Sequence, residues 1–166
     1  MVDLDDIDRR ILAALQAEGR LAMVDLAERV GLSATPCQRR VKRLEEEGVI
    51  DRYAALVSPP ALGLALQAMV QVTLEDHSEK TVEAFEAAIR ARSEVVACYA
   101  MTGDMDFLLH VLVPDLAQFS EFAMKALLRM PGVRGTRSSF IMQAVKSDLA
   151  WAPQAPPPQA SSRTRR

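Results

Sequence analysis

The sequence predicts an α+β chain: an N-terminal (winged) helix-turn-helix joined to a C-terminal ferredoxin-like βαββαβ domain. Three observations predict it. Up to Gly48 the apolar residues recur with a helical period. From Ala65 onward strict alternation appears, and strand-like and helix-like stretches then follow one another. Between the two halves Ser58-Pro59-Pro60 breaks the chain. The expected divisions are residues 1–58, 59–149 and a Pro-rich tail at 150–166.

The first helix opens at Leu4-Asp5-Asp6-Ile7-Asp8, where acids favour the positive end of the helix dipole. Ile7, Ile11, Leu12 and Leu15 are expected to form its buried face, and Gly19 ends it. A shorter helix follows from Met23 to Val30, with Leu26, Ala27 and Val30 inward. Its start lacks a capping oxygen, because Ala22 stands there. Gly31 turns the chain into a third helix, which Ser33 is placed to cap and Pro36 to start. Cys37, Val41 and Leu44 form its apolar stripe. Off that stripe stand Gln38, Arg39, Lys42 and Arg43, with Arg40 at the margin and no acid from Ser33 to Arg43. Three glutamates follow, and Gly48 is expected as a left-handed stop. Such a helix suits insertion of its N-terminal end into a DNA groove; the same pattern also fits a solvated surface helix. Val49 to Val57 is rich in β-formers and reads as a wing, a hairpin strand or a connector.

In the second half, Ala65 to Leu74 alternates, with Leu66, Ala68, Val70, Val72 and Leu74 on one face. Ser78 to Arg92 reads as a helix carrying Val82, Phe85 and Ile89 inward. Val95–Met101 and Phe107–Val113 pair across a Gly103–Asp106 turn. Asp115 with Gln118 resembles a capping box. Leu116, Phe119, Ala123, Ala126, Leu127 and Met130 give the next helical face. Met130-Pro131-Gly132 turns into a final strand within Val133–Val145. Strand 107–113 is apolar on both faces except at His110. In a two-layer sandwich one of those faces stays open, so a second copy is expected to cover it.

Composition narrows the function. Of 166 residues 49% are hydrophobic and 25% charged, the profile of a soluble globular protein. No apolar run approaches the ~20 residues of a membrane helix. The acidic start Met1-Val2-Asp3-Leu4-Asp5-Asp6 lacks the basic region of a secretory signal. A cytoplasmic location is therefore expected, and Cys37 and Cys98 read as small buried residues in a reducing compartment rather than a redox or metal pair. The net charge of −2 announces no nucleic-acid partner, so any DNA contact must come from the local patch Arg39–Arg43. The tail carries three arginines and no acid, and reads as disordered.

Four stretches carry a resemblance to the Lrp/AsnC (feast/famine) family of transcription regulators over about residues 4–148. Leu4-Asp5-x-x-Asp8-x-x-Ile11-Leu12 resembles the family's opening helix. Gly31-Leu32-Ser33-x-Thr35-Pro36-Cys37 with Arg40-Val41-x-Arg43-Leu44-Glu45 and Gly48-x-Ile50 resembles its recognition helix. Thr102-Gly103-Asp104-x-Asp106-Phe107-Leu108-Leu109 is similar to its effector-domain hairpin, and Leu128-x-x-Pro131-Gly132-Val133 with Ser138 to its last helix-turn-strand. Within the family, Cys98-Tyr99 to Leu109 and Arg137–Phe140 resemble regulators of branched-chain amino-acid or keto-acid catabolism. The chain departs from the common pattern at Ala22 and Ala34, where a Ser or Thr and a Pro are usual.

The resemblance implies double-stranded DNA, a homodimer that can assemble to an octamer, and a small-molecule effector, an amino acid or relative. On DNA it implies phosphate contacts from Ser33, Thr35 and the helix start at Pro36, and from Lys42 and Arg52. Arg39 or Arg43 would pair with guanine, and Gln38 with adenine. For the effector the candidates are Met101, Thr102, Gly103, Asp104 and Asp106, with Ser138 adding a hydrogen bond and Leu128 and Phe140 as apolar walls. Gly-Asp-x-Asp also fits a plain tight turn. No cofactor, metal or catalytic residue is expected. The competing readings are an enzyme on the same two-domain layout, akin to tetrapyrrole decarboxylases, and a metabolite sensor acting only through protein partners. The first needs a basic or His-lined pocket, whereas His77 is in a loop and His110 in a packed strand.

Overall fold

The computed structural model describes residues 2–146; the expected tail at 150–166 lies outside them. The described chain divides into two compact units, one running to Ala55 and the other Leu56–Val145.

The first unit holds three helices, α1 (Asp6–Ala17), α2 (Met23–Val30) and α3 (Ala34–Glu46). Helix α1 starts from a reciprocal cap: Asp5 Oδ1 accepts from the Asp8 N–H at 2.8 Å, and Asp8 Oδ2 accepts from the Asp5 N–H at 3.2 Å. Ala22 gives α2 no side-chain cap, as its sequence implies. Gly31 ends α2 at φ 74°, where the Leu32 N–H reaches back to the Ala27 carbonyl. Gly48 adopts φ 69° after α3. The core is Ile11, Ala14, Leu26, Ala27, Val30, Cys37, Val41 and Leu44. Of the expected buried face of α1 only Ile11 is buried; Ile7, Leu12 and Leu15 border the core, and Asp8 and Ala14 take the other buried places.

One further expectation in this unit fails. Ser33 makes no side-chain cap at α3. Of the readings open for Val49–Val57, the connector remains: 51–58 runs without a ladder partner among the described residues. β-forming side chains set a preference, but a strand needs a neighbour to accept its hydrogen bonds. Tyr53 is tied instead to the end of α3, its hydroxyl donating to Glu45 Oε1 at 2.8 Å. Partial burial and that acceptor push its phenol up to about 12.

The second unit is the expected βαββαβ order: β1 (Leu66–Leu74), α4 (Glu79–Arg90), β2 (Val95–Ala100), β3 (Phe107–Val113), α5 (Leu116–Glu121) and β4 (Val133–Phe140). One four-stranded sheet has the order β2-β3-β1-β4 with every neighbouring pair antiparallel. The register sets Val70 beside Leu109 and Ser138, so Ala68, Val70, Val72, Leu109 and Val111 share one face. They pack with Phe85 and Ile89 of α4 and with Phe119, Phe122 and Leu127. Ser78 caps α4 through the Thr81 N–H, and Asp115 caps α5 through the Gln118 N–H.

Helix α5 departs from the regular period. Residues Phe122–Ala126 form a π-helical turn, and Leu127–Arg129 a 3₁₀ turn. The wide turn shifts the inward face. Phe122, off the regular stripe, is buried, while Leu116, on it, is 56% exposed. The opposite sheet face presents Met69, Leu108 and Leu112 half-buried and Tyr99 exposed, with His110 Nε2 3.2 Å from Gln67 Oε1.

Candidate nucleic-acid interface and effector hairpin

The stripe Cys37, Val41 and Leu44 turns one side of α3 into the core and so fixes which side faces out. Gln38, Arg39 and Lys42 are exposed, as are Ser33 and Thr35 at the helix start, with Pro36 half-buried beside them. Arg39 and Gln38 make no ion pair or side-chain hydrogen bond among the described residues. Lys42 Nζ lies 3.4 Å from Glu46 across an exposed pair, and Arg52 Nε 3.8 Å from Asp51. Such pairs are weak and exchange readily for another anion. The unused Ser33 hydroxyl and the free N–H groups of the first turn of α3 add donors at the positive end of the dipole. What this face can do chemically is meet phosphate and hydrogen-bonding base edges.

Arg43 is held differently from Arg39. It does not stand free beside Arg39 for a guanine. Its Nη2 donates to Asp8 Oδ2 at 2.5 Å, and Arg40 Nη1 donates to Asp8 Oδ1 at 2.8 Å and to Asp5 Oδ2 at 2.7 Å. The reason is burial. Asp8 is 1% exposed, so its charge must be met by cations on the neighbouring helix. Arg43 Nε is 3.8 Å from Glu47, beyond hydrogen-bond length, and has no acceptor among the described residues. The Asp8 N–H first, and Arg40 next, hold the Asp5 carboxyl below the ordinary range. Hydrogen bonds to Asp5 and Asp8 raise Arg40. Sequence reasoning passed over this cluster. Its signal was an acid on the apolar side of α1: Asp8 precedes Ile11, Leu12 and Leu15 by three, four and seven residues.

In the sheet unit, Met101, Thr102, Gly103, Asp104 and Asp106 lie together on the β2–β3 hairpin, where Gly103 takes φ 106°. The Met101 N–H donates to the Asp106 carbonyl and the Asp106 N–H to the Val72 carbonyl, both at 2.9 Å. The Asp106 side chain is not turned outward to receive an amine. Oδ2 accepts from the Leu74 N–H at 2.7 Å and Oδ1 lies 2.7 Å from His77 Nε2. The Leu74 N–H first, and His77 after it, hold this carboxyl below the ordinary range against the opposing effect of burial. Asp106 thus ties the hairpin to the end of β1, and Asp104 is the exposed acid.

The remaining effector candidates are elsewhere. Ser138 is level with Val70, whereas the hairpin leaves the sheet beyond Phe107, level with Val72. Phe140 packs edge-on against Phe119 with centroids 5.0 Å apart. Leu128 is 41% exposed in the turn after α5. One chain brings the hairpin residues together but does not add Ser138, Phe140 and Leu128 to them. Two clefts in this unit involve other residues: one of about 620 Å³ beside Arg92, Glu94, Phe122 and Lys125, one of about 320 Å³ beside Glu86, Arg90 and Cys98. Cys37 is buried as expected, but Cys98 is exposed, because β2 is an edge strand of the sheet; partial desolvation raises both thiols. Among the described residues there is no cluster of metal-ligating side chains, and no helix is long and apolar enough to cross a membrane.

Residues 4–51 match the family model for a winged helix-turn-helix DNA-binding domain, and residues 67–151 that for the Lrp/AsnC ligand binding domain. The chain is 44% identical over 144 residues to the leucine-responsive regulatory protein of Salmonella typhimurium, covering 87% of this chain and 88% of that one. It is 43% identical to the leucine-responsive regulatory protein of Escherichia coli over the same shares. Among solved structures, a transcriptional regulator of Neisseria meningitidis in complex with L-methionine superposes with a TM-score of 0.87 at 41% identity, covering 90% of this chain and 96% of that one. An AsnC family transcriptional regulator from Agrobacterium tumefaciens gives 0.83 at 38% identity, over 88% and 95%.

Proposed function

The chain belongs to the Lrp/AsnC family of DNA-binding transcription regulators, and from that premise we propose how its own residues divide the work. Helix α3 enters the major groove with its N-terminal half. Arg39 and Gln38 read base edges; Ser33, Thr35, Lys42 and Arg52 meet phosphate, with Pro36 starting the helix. The observation that carries this is the exposed, unpaired Arg39 and Gln38 opposite the buried Cys37–Val41–Leu44 stripe. Arg43 is withdrawn from the reading set, because its guanidinium is engaged by Asp8.

The sheet unit binds an amino acid and joins copies of the chain. A relative of known structure holds L-methionine, and the curated relatives are named for their response to leucine. The hairpin 101–106 supplies turn N–H groups for a carboxylate and the exposed Asp104 for an amine. Asp106 supports that turn from beneath through Leu74. Met69, Leu108, Leu112 and Tyr99 on the open sheet face are the surface a second copy covers, making a homodimer that can assemble further. Ser138, Leu128 and Phe140 then join the effector site only if a neighbouring copy presents them. The regulator is non-catalytic and works in the cytoplasm.

The test is equilibrium binding of the intact protein to its own upstream intergenic DNA, with and without a panel of amino acids. Arg39→Ala is expected to cost about 1–3 kcal/mol on that DNA and much less on a shuffled duplex. Equal losses on both would reduce Arg39 to a phosphate contact. No gel shift at low salt would leave the protein-partner reading standing instead.

A further inference from the structure

We propose that Asp8 is the positioning residue of DNA recognition: it holds Arg40 and Arg43 against α1, keeping two cations off the phosphates. The proposal rests on the reading of α3 as the groove helix. Asp8 is the one buried charged residue among those described, at 1% exposure. Three donors meet it: Arg40 Nη1 on Oδ1, and Arg43 Nη2 and the Asp5 N–H on Oδ2. With Asp5 taking a second bond from Arg40, the cluster holds two carboxylates and two guanidiniums and is neutral.

The geometry on α3 gives this a consequence for DNA. Arg40 and Arg43 are three residues apart, so they lie on the same flank of the helix, the one whose side chains reach Asp8. Arg39 and Lys42 precede each of them by one residue and so turn away to the exposed side. Four cations thus fall into two pairs with different duties. One pair sets the rotation of α3 against α1, and the other is left for DNA. A guanidinium released from Asp8 would find phosphate wherever DNA lies, whatever the sequence, so Asp8 limits sequence-independent binding. Arg43 is 41% exposed at its side chain, so it has the freedom to leave when its carboxylate is removed.

An ion cluster that only stabilised the fold would change how much protein is folded, not how its DNA binding depends on salt. The test is therefore a salt series with the intact protein and a mixed-sequence duplex, comparing wild type, Asp8→Asn, Arg43→Gln and the double variant. Each phosphate neutralised adds about 0.9 to the slope of log K against log salt. Asp8→Asn is expected to steepen the slope by about that amount for each recognition helix engaged and for each arginine freed. Arg43→Gln alone is expected to leave the wild-type slope, and the double variant to lose the part Arg43 adds. An unchanged slope in folded Asp8→Asn overturns the proposal. So does a flatter slope in Arg43→Gln alone, since Arg43 would then already sit on phosphate. Should Asp8→Asn not fold, the Arg43→Gln slope decides. Arg39→Ala on the upstream intergenic DNA separates the two readings. If it binds as wild type, the assignment of the α3 outer face fails. If it loses binding while Asp8→Asn keeps the wild-type slope, only the role of Asp8 falls.

Discussion

The helical unit and the sheet unit fix their geometry by different means. The helical unit buries eight apolar residues, four of them Ala, Cys or Val smaller than Leu on α2 and α3, beside one aspartate that binds two arginines. The sheet unit buries thirteen apolar residues and no charged one, and its aspartate works at the hairpin, half out of the core. Helices pack through side chains alone, so a small helical core leaves the rotation of α3 loosely set. A directional charge cluster supplies what packing does not. In the sheet, backbone ladders already fix which residue faces which, and a one-residue slip would turn the whole core outward. Polar groups there can be kept for the rim.

The largest test of this contrast is in the apolar cores. Leu44→Ala and Leu109→Ala each remove a fully buried leucine and should cost about 2–5 kcal/mol. Amide exchange should report each loss in the unit that carries the substitution. The contrast weakens if Leu109→Ala is much the milder.

The next largest effect compares the two aspartates. Asp8→Ala strips Arg43 of its carboxylate and leaves Arg40 only Asp5, and should cost about 3 kcal/mol, the low end for a buried pair because both cations are partly exposed. Asp106→Ala loses the Leu74 N–H and His77 partners at a half-buried site and should cost about 1 kcal/mol. Thermal melts of the two variants check the order; equal losses would break the comparison.

The smallest effect is in acid. The folded Asp106 carboxyl titrates below its unfolded value near 3.8. Its contribution is therefore complete above that value and is lost as pH falls through the lower folded one. Protection of the Leu74 amide should decline below about pH 4 in the wild type. Asp106→Asn should remove that decline and start from weaker protection. A decline of the same size in the variant would assign it to other carboxylates, such as Asp76, which is also held low by Ser78 and Thr81.

Much of this was written in local pattern. The stripe Cys37–Val41–Leu44, the alternation Ala68–Val70–Val72 and the glycine stops at Gly31 and Gly48 follow from periods of 3.6 and 2 and from backbone freedom. The exposure of Arg39 and Gln38 followed from the same period. Three features did not. The π-helical turn that buries Phe122 answers to packing against the sheet, and no regular period announces it. The extended residues 51–58 look like a strand by composition, but pairing belongs to the neighbour, not to the segment.

The third feature is the duty of each charge. By itself the sequence determined where the helices and strands run, which face of each is apolar, and that cations crowd one helix, because these depend on residues a few positions apart. Only the tertiary structure decided that Arg43 belongs to Asp8, thirty-five residues away, and Asp106 to Leu74, thirty-two away. A charge is free or committed according to what lies within a hydrogen bond of it, and folding, not spacing along the chain, sets that distance.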